Sequence, residues 1–181
     1  MSEHRVWTRL VGVEHTVLES VDLEGETGHE VVVVCVRPTR SRQGRCSRCE
    51  RRSQGYDRGS GRRRWRALDL GTTLIYLEAD APRVRCRSHG VVVADVPWAR
   101  TNSRFTRAFE DTCARVAAHC SGAATGQLLG VAWRSVTAVV ERVVDDALGA
   151  TDLLDGVARI GIDEIAHRKG HRYLTAVTDH D

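Results

Sequence analysis

Lysine is nearly absent: Lys169 is the single one among 27 basic residues, so arginine carries the positive charge. Methionine occurs once, proline three times, and aromatic residues make up 5% of the chain. With so few large rings no single large core is advertised, and 181 residues suit one ordinary domain or two to three small ones. No apolar run approaches the roughly 18 residues of a membrane span. The longest, "VVVVCV" at 31–36, has the length and β-branched composition of a strand. The opening stretch "MSEHRVWTRLVGVEHTVLES" carries charges throughout and has no apolar leader core. A cytoplasmic protein without a membrane partner is therefore expected. In that reducing compartment, six cysteines point to metal binding or burial, not to a disulfide framework.

What the chain does have is clustered charge. Twelve arginines stand between Arg37 and Arg66, opposed there by Glu50 and Asp57 alone. Such a field suits a polyanion, most often nucleic acid. The plainer alternative is a solvated face in an arginine-rich composition.

Within this region lies "RCSRCE" at 45–50, and downstream "RCRSHG" at 85–90. A Cys-x-x-Cys turn presents two thiolates from one tight loop, and zinc favours four tetrahedral nitrogen or sulfur ligands. Cys46 with Cys49, and Cys86 with His89, make two such pairs. The candidate ligand set is Cys46, Cys49, Cys86 and His89, holding a structural Zn2+ with no open position for chemistry. Between the pairs, 62–70, a turn at Gly71, 73–80 and 83–86 read as strands, giving a zinc-ribbon-like module. Cys35, Cys113 and Cys120 lie in apolar periodic segments and read as small buried hydrophobes.

After Pro97 the apolar period changes from two to near 3.6. Residues 103–120 place Phe105, Phe109, Cys113, Val116 and Ala117 on one face, with Ser103 as a candidate N-cap. Ala124, Leu128 and Leu129 mark a short helix that Gly130 ends. A further helix from about Ala132 carries Val136, Val139, Val140, Val143 and Val144 inward. Short helix, glycine turn and amphipathic helix form the helix-turn-helix pattern, with a plain helical hairpin as the alternative. In such a motif the early exposed positions of the second helix face the major groove. Here these are Trp133, Arg134, Ser135, Thr137 and Ala138, with Arg134 suited to guanine; Trp133 is equally suited to packing between the helices.

The last stretch, "VARIGIDEIAHRKGHRYLTAVTD", reads as strand, turn at 168–170, strand. Asp163 and Glu164 end the first strand; by spacing alone the plainer reading is a surface turn, with a metal-binding carboxylate pair as the alternative.

The run of Cys46-x-x-Cys49, 83–110, 124–144 and 160–179, in this order, resembles transposases of the ISL-three insertion-sequence family. The resemblance covers most of the chain from about Val31. It implies an α+β chain: a zinc-ribbon-like β module, a helical helix-turn-helix domain, and the first β-hairpin of a ribonuclease-H-like DDE domain. The expected boundaries are 1–30 for a lead-in, 31–97 for the zinc module, 98–150 for the helix-turn-helix and 151–181 for the DDE start. It implies binding of double-stranded DNA at terminal inverted repeats through the zinc module and helix-turn-helix. The arginine cluster, with Arg62, Arg63 and Arg64, is expected to add sequence-independent affinity by counterion release, and the arrangement is compatible with a homodimer. It implies that Asp163 matches the first DDE aspartate, working with Mg2+ only in a complete catalytic domain. The sequence departs from the family by stopping at Asp181, before the second aspartate and the glutamate. A two-metal site needs about three converging carboxylates, so this chain alone is expected to bind DNA without cutting or joining it. A two-strand hairpin is marginal alone, so residues from about Val157 are expected to be loose or docked on the helices. The alternatives are a stand-alone zinc and helix-turn-helix regulator without catalysis, or a zinc-stabilised protein-interaction module.

Overall fold

In the computed structural model, the described residues are 3–26, 28–149, 156–168, 170 and 172–179. The elements run α1 (Glu3–Val11), β1 (Thr16–Glu24), β2 (Val31–Pro38), β3 (Gln54–Asp57), β4 (Arg62–Arg66), β5 (Leu74–Asp80), β6 (Arg83–Cys86), β7 (Gly90–Val93), α2 (Arg107–Ala117), α3 (Gly122–Leu129), α4 (Trp133–Leu148), β8 (Ile160–Arg168) and β9 (Arg172–Asp179). They fall into two compact units, Met1–Val143 and Val144–Asp181. No helix of the described residues is long and apolar enough to cross a membrane.

The first unit is built on a four-stranded sheet of order β1-β2-β5-β4. β2 is central, antiparallel to β1 and parallel to β5. Adjacent residues of a strand point to opposite faces. Val33 and Val34 are 1% and 0% exposed, so β2 is covered on both sides, which is why its sequence is an unbroken apolar run. β5 alternates instead, sending Ile75, Leu77 and Ala79 into the core. That core closes on Trp65 of β4 and Trp98 of the following loop, which meet edge to face with centroids 5.5 Å apart.

A second, three-stranded antiparallel sheet has the order β3-β6-β7. The strands expected between the two ligand pairs are present, β4 and β5 as an antiparallel hairpin, but the three do not share one sheet. β4 and β5 join the large sheet, because the free edge of β2 takes β5 from Val31↔Leu74 to Cys35↔Glu78. Only β6 stays with β3 and β7. The first thirty residues likewise supply more than a leading strand. α1 turns Trp7 and Val11 against the core, and β1 is an edge strand of the same sheet.

The helical part begins three residues later than expected. Thr106, not Ser103, caps α2, its side chain accepting from the Phe109 N–H. Ser103 is buried and hydrogen-bonds Glu110 instead. The start is fixed by a parallel bridge between Arg66 and Phe105, made by Arg66 N to Arg104 O and Thr106 N to Arg66 O, each 2.9 Å. Ser121 caps α3, and Gly130 ends it in the left-handed region at φ 63°. Phe109, Cys113, Val136 and Val139 form the buried centre where α2 meets α4. Val144, expected inward, is 44% exposed; Cys120, expected buried, is exposed.

In the second unit β8 and β9 pair antiparallel from Ile160↔Asp179 to Arg168↔Arg172. The expected turn includes Lys169, and the expected boundary at 150/151 falls on 150–155; both lie outside the described residues. Large apolar residues are exposed on both faces of the pair, Ile162 on one at 65% and Leu174 on the other at 56%.

Candidate metal centre and nucleic-acid interface

The sequence places each ligand pair at a turn that the backbone must tighten. In the first, Glu50 N donates to Cys46 O at 2.8 Å and Cys46 N to Arg51 O at 3.0 Å, with Glu50 itself at φ 54°. In the second, Cys86 pairs with Gly90, whose φ of 67° lets β6 turn straight into β7. The bridge between Cys46 and Ala94 brings the first turn alongside the end of the second hairpin.

The result is a four-donor cluster of Cys46, Cys49, Cys86 and His89, with all donor atoms within 4.8 Å of one another. Zinc bonds of about 2.3 Å to sulfur and 2.0–2.1 Å to nitrogen predict tetrahedron edges of about 3.8 Å between sulfurs and about 3.6 Å between sulfur and nitrogen. Cys49 Sγ lies 3.7 Å from Cys86 Sγ; His89 Nδ1 lies 3.5 Å from Cys46 Sγ and 3.6 Å from Cys86 Sγ. The Cys3His set therefore fits a structural zinc ion, with His89 ligating through Nδ1.

The surroundings favour thiolate at one ligand and resist it at another. The backbone N–H of Ser88, then that of His89, hold the Cys86 thiol down to about 6 against the opposing effect of burial. Cys49 is lowered by the Arg51 N–H, but burial and the neighbouring Cys86 and Cys46 sulfurs outweigh it and push the thiol up. Three thiolates this close repel one another, and a divalent cation at their centre removes that conflict.

The nucleic-acid candidates divide. At the start of α4, Trp133 is 58% exposed and Arg134 stacks on its ring at 5.5 Å. Trp133 thus faces solvent and does not pack between the helices. Thr137 is exposed and Ser135 partly so. The turn before them is tight: a Cβ on Gly126 would come within 2.6 Å of Val131 O and 3.3 Å of Trp133 N. Arg62 and Arg64 are engaged elsewhere, each donating to Glu78 at 2.6 Å, and Arg64 also to Glu24 at 2.8 Å. Arg63 points to the other side of β4, where its guanidinium donates to Ser103 O at 2.6 Å and lies 5.2 Å from the Trp65 ring. On the outer face of the small sheet, Tyr56 is flanked by Arg83 and Arg85 at 5.4 and 5.1 Å.

Two features were missed in the sequence. Glu110 is 0% exposed and receives Arg142 through Nε at 2.9 Å and Nη2 at 2.7 Å, Arg100 at 3.4 Å and the Ser103 hydroxyl at 2.7 Å. Nothing local in the sequence marks Glu110 as buried, because its partner Arg142 stands 32 residues away. The Tyr56 stack left no signal beyond two arginines at alternate positions of a short strand. Asp163 lies exposed in β8, its carboxylate accepting from the Glu164 N–H at 2.8 Å. Among the described residues, the cysteine–histidine cluster is the one group of three or more such ligands, and it does not include Asp163.

Residues 42–89 match the family profile of the zinc-finger of transposase IS204/IS1001/IS1096/IS1165, and residues 94–144 match that of the helix-turn-helix domain of transposase family ISL3. Two curated relatives, both named transposase for insertion sequence element IS1557, come from Mycobacterium tuberculosis strains CDC 1551 / Oshkosh and ATCC 25618 / H37Rv. Each is 45% identical over 184 aligned positions, which take in 100% of this chain and 41% of the relative. The chain thus spans less than half the length of these relatives. No solved structure matches it. With its zinc-finger and helix-turn-helix segments both matched, and its whole length aligned to these relatives, the chain belongs to the ISL3 family of insertion-sequence transposases.

Proposed function

We propose that this chain recognises the terminal inverted repeats of an insertion sequence, as the DNA-binding part of a transposase. The observation that carries the reading is the exposed Trp133–Arg134 pair at the start of α4, presented by a glycine-closed turn in the same compact unit as a Cys3His ribbon. In this reading Arg134 contacts a base edge in the major groove, and Trp133, Ser135 and Thr137 flank it. The arginine field supplies affinity by displacing counterions. Arg62 and Arg64 contribute to it only on exchanging Glu78 and Glu24 for phosphate. Paired inverted repeats call for two copies of the chain, so the proposal includes a homodimer on joined ends. The division into lead-in, zinc module, helix-turn-helix and DDE start is part of the same reading.

The β8–β9 hairpin fits the start of a ribonuclease-H-like domain, since apolar residues on both faces suit a sheet that is covered on both sides. Asp163 would be its first carboxylate. Mg2+ held by a complete carboxylate set would polarise the scissile phosphate. The second reading is a zinc and helix-turn-helix DNA-binding protein without catalysis, which keeps the same ribbon and helix-turn-helix contacts and gives Asp163 no role. Binding of an inverted-repeat duplex against a random duplex of equal length tests the first part. Arg134→Ala should cost about 1–3 kcal/mol of discrimination between them. Equal affinity of the wild-type chain for both duplexes would overturn the proposal. Strand transfer by the chain, lost in Asp163→Ala, would decide against the second reading.

A further inference from the structure

The alternation of β4 separates its arginines. Arg62 and Arg64 meet Glu78 on one side of the strand. Arg63 and Trp65 turn to the other side and line a cleft of about 280 Å3 between β7 of the ribbon and the loop before α2. Thr101, from that loop, donates to Ser47 O of the first ligand turn at 2.8 Å, which ties the two walls together.

The charge in this cleft is unbalanced. Arg48, Arg63, Arg83 and Arg100 line it, with Asp95 as the one acid. Arg83 is held by Asp57, and Arg100 by Glu110 and Asp111. Neither Arg48 nor Arg63 meets a carboxylate among the described residues. Burial, then the nearby Arg104, make the Arg63 cation harder to hold, lowering its pKa. Burial, then Glu50, push the Asp95 carboxyl up, so the one acid is itself held less firmly as an anion. An uncompensated guanidinium fixed against Ser103 O and an indole ring is preorganised for an anion from outside. A fixed fork of that kind matches phosphate better than a mobile ammonium does.

We propose that this cleft seats one backbone phosphate of double-stranded DNA, with Arg63 and Arg48 as its cations. The duplex read by α4 would then also cross the zinc ribbon, passing the exposed Tyr56, Arg83 and Arg85. The proposal rests on the DNA-binding reading above and adds a contact outside the helix-turn-helix.

The test uses the full 181-residue chain loaded with zinc, and an inverted-repeat and a random duplex of equal length, between about 50 and 200 mM salt. Arg48→Gln and Arg63→Gln should each reduce the slope of log K against log salt by about one. Each should therefore lose about three- to fourfold less affinity than wild type over that salt range. Both duplexes should be affected alike, and Arg63→Lys should keep the wild-type slope. Melting and zinc content are read alongside; should Arg63→Gln fail to fold, the exposed Arg48 decides alone. An unchanged slope in folded, zinc-loaded Arg48→Gln overturns the proposal. So does inorganic phosphate binding at Arg63 with unchanged duplex slopes, which would make the cleft a free-anion site. Loss of preference for the inverted repeat in the wild-type chain is the separate failure of the underlying reading; a reduced slope on random duplex would still support the phosphate seat.

Discussion

Replacing Glu110 with alanine should be among the most damaging single changes in the first unit. Its carboxylate is 0% exposed and takes both the Nε and Nη2 donors of Arg142, whose side chain is 27% exposed. Removing one member of a buried pair costs about 3–5 kcal/mol, because the partner keeps its charge and loses its compensation. Arg100 loses less: its bond to Glu110 is long, 3.4 Å, and Asp111 holds it at 2.8 Å. The cost therefore falls on Arg142 and on the joint between α2 and α4. For a unit of this size about 3 °C of melting temperature corresponds to 1 kcal/mol, so a fall of about 10–15 °C is expected. The assay is thermal and urea unfolding of wild type, Glu110→Ala, Arg142→Ala and the double variant. Arg142→Ala should cost at least as much, since it leaves the fully buried Glu110 carboxylate with Ser103 and the long contact to Arg100. Replacing both with leucine should recover most of the loss, as apolar side chains often replace buried ion pairs without penalty. A loss below about 1 kcal/mol for Glu110→Ala, or a coupling with Arg142 below about 0.5 kcal/mol, would refute the argument.

Three further outcomes are expected. Cys46→Ser should abolish stoichiometric zinc binding and unfold the ribbon, since metal binding and folding of such a module share one free energy; unchanged metal content and circular dichroism would count against the site. Gly126→Ala should cost about 1–3 kcal/mol through overpacking against Val131 O and should weaken inverted-repeat discrimination, read by melting and competition binding. Arg64, against burial and with Arg62 adding, holds the Glu78 carboxyl below the usual carboxylate range. Its contribution is then full above the unfolded value of about 4.3 and disappears as pH falls through the lower folded value. Glu78→Gln should flatten the acid limb of the stability profile in that window; an unaltered limb would reject the assignment.

The four-donor cluster was legible because each pair is local: two residues separate Cys46 from Cys49, and Cys86 from His89. Gly130 was legible for the same reason, as the left-handed end of a short helix. The positions of β4, β5 and β6 could also be read from alternation. Their sheets could not, because pairing Val31 with Leu74 is decided across 43 residues by which edge is free. Ser103 and Thr106 are both good caps; the choice between them was made by Arg66, a residue of another element. The fate of Arg62 and Arg64 likewise turned on Glu78 and Glu24, which local charge counting passes over. Glu110 and Trp7 show the converse, a charge drawn inside and an N-terminal helix drawn onto the core by distant partners.

The bridge between Arg66 and Phe105 has a consequence for the spacing of a DNA site. It joins the last residue of β4 to the start of the helices, and Arg107 N to Trp98 O at 2.7 Å adds a second tie. The ribbon and the start of α4 belong to one compact unit, so if both meet the duplex as proposed they form a ruler with two marks. Adding one base pair between the marks moves the second contact by about 3.4 Å and turns it by about a tenth of a helical turn. Five added base pairs would present it on the opposite side of the duplex, and ten would restore its face at a distance the ruler cannot reach.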